Sequence, residues 1–269
     1  RFGSCGCGIF ETRLRDEKGY SISVADLFNL SEIDLKDAIC LIRNEYFKKM
    51  MPERGKLTEL ALKVLESEAI LDNFVAACQK FKDNTSLFNI DDYSSTGYPI
   101  IFEGAQGLLL DENHPFFPHV TPSSTGLTNI LKLPNIDMTK LTIIYVLRCY
   151  MTRHGNGPFP SESIELTDKM QGSDQTNKTN PFQGPLRFGH LDFPLIKQAI
   201  DKDLKQIPKH VDYSAELALT CLDHLNIFSS SGEEDFLKEI KERLQRPITY
   251  VSRGEKRSDI IKSPIAGGV

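Results

Sequence analysis

The segment Glu103-Gly-Ala-Gln-Gly-Leu-Leu-Leu-Asp111 sets two glycines around one glutamine, directly behind the apolar run Pro99-Ile-Ile-Phe-Glu103. Glycines lack a Cβ and let a backbone approach a flat ligand, while a carboxamide offers that ligand both donors and an acceptor. Gln106 is therefore a candidate reader of a planar heterocycle. His114 follows, and then Val120-Thr-Pro-Ser-Ser-Thr125 presents hydroxyls and backbone N–H groups just before the helix-like run GLTNILKL. Such an arrangement suits a phosphate. An amide that reads a ring and a cradle for a phosphate, in one segment, describe a nucleotide.

The surrounding elements must position that segment. Pro99 to Glu103 reads as a short buried strand delivering the loop at its carboxyl end, where open α/β sheets place ligands. Leu141 to Cys149 (LTIIYVLRC), Leu217 to Leu222 (LALTCL) and Ile248 to Val251 read as further strands, with helices near Leu195 to Leu204 and Glu233 to Leu244. Strands alternating with helices predict an α/β fold with a mainly parallel sheet flanked by helices. From Ser31 the pattern turns helical, with a capping-box variant at Ser31 to Asp34, and Pro52 and Gly55 are expected to end it. A second amphipathic run, Thr58 to about Phe81, places Leu60, Val64, Leu71, Phe74, Val75 and Cys78 on one broad face. The stretch Glu162 to Phe188 is poor in aliphatics and long for a connection, which predicts a functional or mobile loop.

Composition narrows the class. The chain has 269 residues, 26% charged and 40% hydrophobic, with a net charge of −5, an ordinary globular balance with no basic footprint for nucleic acid. No apolar run approaches a bilayer span and no secretory leader pattern opens the chain, so no membrane partner and a cytoplasmic location are expected. Six scattered cysteines without a CxxC pair fit reduced thiols.

Together, EGAQGLLLDENHPFFPHVTPSST resembles the adenylosuccinate synthetase family, with its EGAQG-x-x-LD-x-x-H segment leading into P-x-VT-S. The resemblance continues in order along the chain. Gly3-Ser-Cys-Gly-Cys-Gly-Ile9 is similar to a GTTG-x-GIG loop, Thr152-Arg-His-Gly-Asn-Gly-Pro-Phe-Pro160 to TRVG-x-GPFP, and Gly184 to Asp192 to an arginine-rich R-x-GWLD loop. Leu219-Thr-Cys-Leu-Asp223 is similar to LTKLD, and Ser252-Arg-Gly-Glu-Lys-Arg257 to the last guanine-nucleotide loop.

The resemblance implies a P-loop-NTPase-like synthetase fold and a ligase that joins L-aspartate to IMP at the cost of GTP, with Mg2+ on the triphosphate. It implies that Gln106, Thr121 and Ser4 or Cys5 bind the substrate nucleotide, and that an arginine, Arg13 or Arg15, reaches the nucleotide of a two-fold partner in a homodimer. Thr179 and Arg187 are implied to bind aspartate, with the 152–160 segment helping to place it. Asp223, Gly254 and Arg257 are implied to bind the triphosphate nucleotide, Asp223 by accepting from a guanine's ring N–H and amino group. Cys221 stands where the family pattern has lysine, which leaves ATP open beside GTP. Residues 1–269 are expected to form one synthetase domain, incomplete at its start, with a helical insertion at about 31–81. No GDEGKGK-like run is present. The resemblance therefore places the catalytic base and the histidine before residue 1, and implies that this chain alone is inactive. The loop from Thr179 to Gly189 is closer to a short phage-type branch that joins aspartate to dGMP, so dGMP stands as the alternative acceptor. A nucleotide-binding relative without chemistry is the alternative of a different class.

Overall fold

The computed structural model describes residues 8–54, 58–90, 97–133, 138–170, 179 and 183–265. The chain divides into two compact units, a helical one within Cys7–Gly97 and an α/β one within Tyr98–Val269. The helical stretch expected at about 31–81 lies inside the first.

The helical unit holds α1 (Ile9–Glu17), α2 (Val24–Asn29), α3 (Glu32–Leu41), a π-turn over Ile42–Tyr46, α4 (Phe47–Arg54), α5 (Glu59–Glu66) and α6 (Glu68–Asn84). Ser31 caps α3 as expected, its Oγ accepting from the Asp34 amide at 3.1 Å. Pro52 does not end the helix, which runs on to Arg54; a proline in a last turn forfeits one hydrogen bond where few remain. The run expected from Thr58 to Phe81 is broken at Ser67, which leaves helical geometry and caps α6 through the Ile70 amide. Its expected single apolar face is correspondingly divided. Leu71 and Val75 are buried with Leu35, whereas Leu60, Val64 and Phe74 are exposed.

The α/β unit is built on a sheet of order β1-β4-β5-β6: β1 (Lys140–Arg148), β4 (Asp212–Thr220) and β5 (Ile248–Ser252) are parallel, and β6 (Ile260–Lys262) is antiparallel to β5. Leu217, Leu219, Ile248 and Val251 are wholly buried, each contributing about 2 kcal/mol of burial. They share one core with the apolar stripes of two helices, Phe193–Leu204 and Glu233–Leu244, which carry Ile196, Ile200 and Leu204 and Phe236, Leu237, Ile240 and Leu244 respectively. The sheet is thus mainly parallel and helix-backed, as the alternation of patterns predicts. β1 departs from a fully buried strand: Ile143 is buried, but Ile144 and Val146 on the other face are 42% and 67% exposed.

One further expectation is corrected and two are refined. Pro99 to Glu103 forms no strand, and Ile101 is exposed, since no described strand pairs with it. The stretch from Glu162 to Phe188 is structured at both ends, with a helix at Ile164–Lys169 and β3 at Leu186–Gly189. β3 pairs antiparallel with β2, Met151–His154. The run GLTNILKL forms one helical turn, Thr128–Leu131.

Candidate functional site

Parallel strands align their carboxyl ends on one rim. The β1–β4 register runs from Lys140 opposite Asp212 to Arg148 opposite Thr220, and β4 meets β5 at Leu219 opposite Val251. On that rim, Cys221 takes the left-handed conformation at φ 60 and starts the turn Leu222–His224, which packs against β5. Asp223 is exposed, its Oδ2 3.5 Å from Nε2 of His224. Behind it the Cys149 thiol donates to the Cys221 carbonyl at 2.9 Å, and burial pushes that thiol up to about 12. After β5, the buried Ser252 hydroxyl donates to the Gly254 carbonyl at 2.9 Å. The Asp259 carboxylate accepts from the Lys256 amide at 2.9 Å and lies so close to Gly254 that a Cβ there would collide with it. This folds the 252–259 loop back on itself and leaves Arg257 exposed, without an ion pair among the described residues.

The 103–127 loop is tied at two carboxylates. Asp111 accepts from the Thr125 amide at 2.9 Å, and the Thr121 amide donates to the Leu110 carbonyl at 2.8 Å. Asp203, only 5% exposed, accepts from the Leu127 amide at 2.9 Å, the Tyr145 hydroxyl at 2.8 Å and the Gln206 carboxamide at 3.0 Å. The helix carrying Asp203 also packs on the turn Leu108–Leu110, just beyond Gln106. A rigid frame therefore presents Gln106, which is exposed, and Thr121, which is half-buried; neither side chain is bonded to a described residue. His114 Nδ1 accepts from the Phe116 amide at 3.2 Å, so the ring proton is assigned to Nε2. Burial, then the charge of Lys202, holds its pKa below the usual histidine range.

A third cluster lies at the β2–β3 pair, where Arg153 stands opposite Arg187. Arg187 donates from Nε to Glu162 Oε1 at 2.7 Å and from a terminal nitrogen to Oε2, while its other terminal nitrogen donates to the carbonyls of Gly155 at 2.8 Å and Gly157 at 3.1 Å. The hydrogen bonds to Arg187 hold the Glu162 carboxyl below its ordinary pKa. Arg153 donates to the carbonyls of Asn156 at 3.0 Å and His119 at 2.5 Å. Gly157 sits at φ 114, and a Cβ there would lie 2.5 Å from that of His119; only glycine fits such a turn.

A family model described as adenylosuccinate synthetase matches residues 1–231. The chain belongs to the adenylosuccinate synthetase family. It is 29% identical over 252 residues to the adenylosuccinate synthetase of Thermoplasma acidophilum, covering 88% of this chain and 51% of that relative. It is 31% identical over 217 residues to that of Syntrophotalea carbinolica, covering 72% and 48%. The chain thus spans about half the length of these curated relatives. Among solved structures, the fully ligated adenylosuccinate synthetase from Plasmodium falciparum superposes with a TM-score of 0.71 at 17% identity, covering 97% of this chain and 70% of that one. The fold is that of an adenylosuccinate synthetase.

Of the residues expected at the synthetase site, the structure brings Asp223, Gly254 and Arg257 to turns that follow parallel strands or lie just beyond them, and sets Gln106 and Thr121 on one braced loop. Arg187 is built into the β2–β3 pair rather than standing free. Thr179 is exposed. Ser4 and Cys5 lie outside the described residues. Arg13 and Arg15 lie on α1 of the helical unit, where Arg13 pairs with Glu17 at 3.5 Å and Arg15 is half-buried. Sequence reasoning missed Asp203, Glu162 and the bracing role of Arg153. Arg153 was visible inside the TRHGNGPFP motif; Asp203 and Glu162 carry no local signal, since their partners are distant in sequence. Among the described residues no three His, Cys, Asp or Glu side chains gather as a metal site. No described helix is long and apolar enough to cross a membrane.

Proposed function

We propose that this chain carries the nucleotide-reading and aspartate-holding part of a carbon–nitrogen ligase that joins L-aspartate to IMP, driven by a nucleoside triphosphate. The observation that carries the reading is the family match over residues 1–231, with the motifs of that match falling on the strand-end rim and its adjoining loops. In this reaction the 6-oxygen of IMP attacks the γ-phosphate of GTP, releasing GDP. The aspartate amine then adds at the activated carbon and inorganic phosphate leaves, giving adenylosuccinate.

Gln106 reads the purine edge of IMP with its carboxamide, and Thr121 binds the 5′-phosphate with Ser4 or Cys5. Arg187, with Thr179, holds a carboxylate of aspartate. Asp223 accepts from the ring N–H and amino group of guanine, while Gly254 and Arg257 line the same triphosphate nucleotide. The working form is a cytoplasmic homodimer in which Arg15 or Arg13 reaches the partner's nucleotide, with Mg2+ accompanying the triphosphate.

The test is calorimetric binding to the full chain of IMP, dGMP, GTP and ATP in turn. Tighter binding of IMP than of dGMP supports the reading, and preference for dGMP assigns the 2-aminoadenine branch instead. GTP over ATP supports the role given to Asp223. Binding of none of the four overturns it.

A further inference from the structure

The two guanidiniums that face each other across β2 and β3 differ in electrostatic state. Glu162 forms an ion pair with Arg187. Arg153 has no carboxylate partner among the described residues; its hydrogen bonds go to two carbonyls, and its guanidinium lies 5.8 Å from the centre of the Phe116 ring. Those two carbonyls belong to different loops. His119 lies just before Thr121 on the nucleotide side, and Asn156 is the middle of the 155–157 turn on the aspartate side. The three successive carbonyls of that turn are all held by guanidiniums, those of Gly155 and Gly157 by Arg187 and that of Asn156 by Arg153. In a trans peptide the N–H points opposite to the C=O, so the amides of Asn156 and Gly157 face away from the arginines, and neither donates to a described residue. Two outward amides backed by an uncompensated positive charge suit a carboxylate.

We propose that Arg153 is a positioning residue that couples the Thr121 loop to the 155–157 turn, so that a carboxylate ligand at the turn and a nucleotide phosphate at the loop each tighten the other. This rests on the ligation reading for the identity of the two ligands, but the mechanical link does not. Burial and the neighbouring Arg187 charge lower the pKa of Arg153, and an arriving anion relieves that repulsion. Lysine cannot reproduce the link, because a single ammonium lacks the planar fork that spans two carbonyls.

The experiment measures IMP binding to the full chain with and without saturating L-aspartate, and the converse, in wild type, Arg153→Met and Arg153→Lys. Wild type is expected to show about tenfold mutual tightening. Both variants are expected to lose it while the affinity for IMP alone changes less than about threefold. Equal coupling in Arg153→Met and wild type overturns the proposal. Hydrogen exchange without ligand gives a separate readout. Arg153→Met speeds exchange at His119 and Thr121 together with Gly155, whose amide donates to the Pro185 carbonyl at 2.9 Å, whereas Arg187→Met speeds only Gly155. If wild type binds neither ligand, the ligation reading fails; unchanged exchange at Thr121 in Arg153→Met would then overturn the link as well, and faster exchange would uphold it.

Discussion

Glu162 places both carboxylate oxygens on the guanidinium of Arg187, one of them 2.7 Å from Nε, while Arg187 reaches on to the carbonyls of Gly155 and Gly157. The fork expected to grip a substrate carboxylate is therefore already occupied by a carboxylate of the protein. On the proposed function, L-aspartate would reach it by exchange with Glu162. Glu162→Gln removes the competing charge and is expected to tighten L-aspartate binding by about tenfold, or about 1.4 kcal/mol, as read by calorimetry. Arg187→Met is expected to abolish that binding and to lower stability by about 3 kcal/mol, since it strands a carboxylate and two carbonyls. Urea denaturation checks the second figure.

The same pair sets a pH dependence. The hydrogen bonds to Arg187 depress the Glu162 pKa below its ordinary 4.5. The unfolded chain then binds a proton at a higher pH than the folded one, so this contribution is complete above about pH 4.5 and is lost as pH falls through the folded value. Urea midpoints measured from pH 7 down to pH 3 are expected to fall more steeply in wild type than in Glu162→Gln. Parallel curves would contradict this.

Asp203 braces the 103–127 loop across 76 positions of chain. Replacing it by alanine leaves the Leu127 amide and the Tyr145 hydroxyl buried without an acceptor, at about 1–3 kcal/mol each. Asp203→Ala is thus expected to lose about 3 kcal/mol or more and to weaken IMP binding, whereas Tyr145→Phe, which removes one donor together with its need, is expected to lose about 1 kcal/mol. Thermal melts and IMP titrations of the two variants check the order.

Asp223 is exposed and, apart from His224 Nε2 at 3.5 Å, has no side-chain partner among the described residues. Asp223→Ala is expected to leave stability within about 0.5 kcal/mol of wild type. Two charge-assisted hydrogen bonds to guanine would vanish, weakening GTP by at least about tenfold with ATP unaffected. Parallel titrations of GTP and ATP into the variant and wild type decide this.

What the sequence made legible followed strong periodicity or a local cap. β5 and the helices at Phe193–Leu204 and Glu233–Leu244 were legible because their apolar spacing matches the faces they bury, β1 through its apolar run alone, since half of that run is exposed, and Ser31 because its cap lies within three residues of its partner. Pro99 to Glu103 misled because an apolar run signals a strand only when another strand lies beside it. The β2–β3 pair gave no pattern: MTRH and LRFG are short and half polar, joined by Arg153 and Arg187 to carbonyls of the intervening turn. The functional segments were legible through their motif spellings. Their supports, Asp203 and Glu162, were not, because the contacts that give them meaning span 76 and 25 positions of chain.

Cys221 occupies a left-handed position that costs any side chain other than glycine about 1 kcal/mol. That conformation follows from the end of β4 and the turn into Asp223, not from the thiol, and its carbonyl rather than its side chain engages Cys149. A change of residue at this position therefore alters the side chain presented beside Asp223 while asking nothing new of the strand end that carries it.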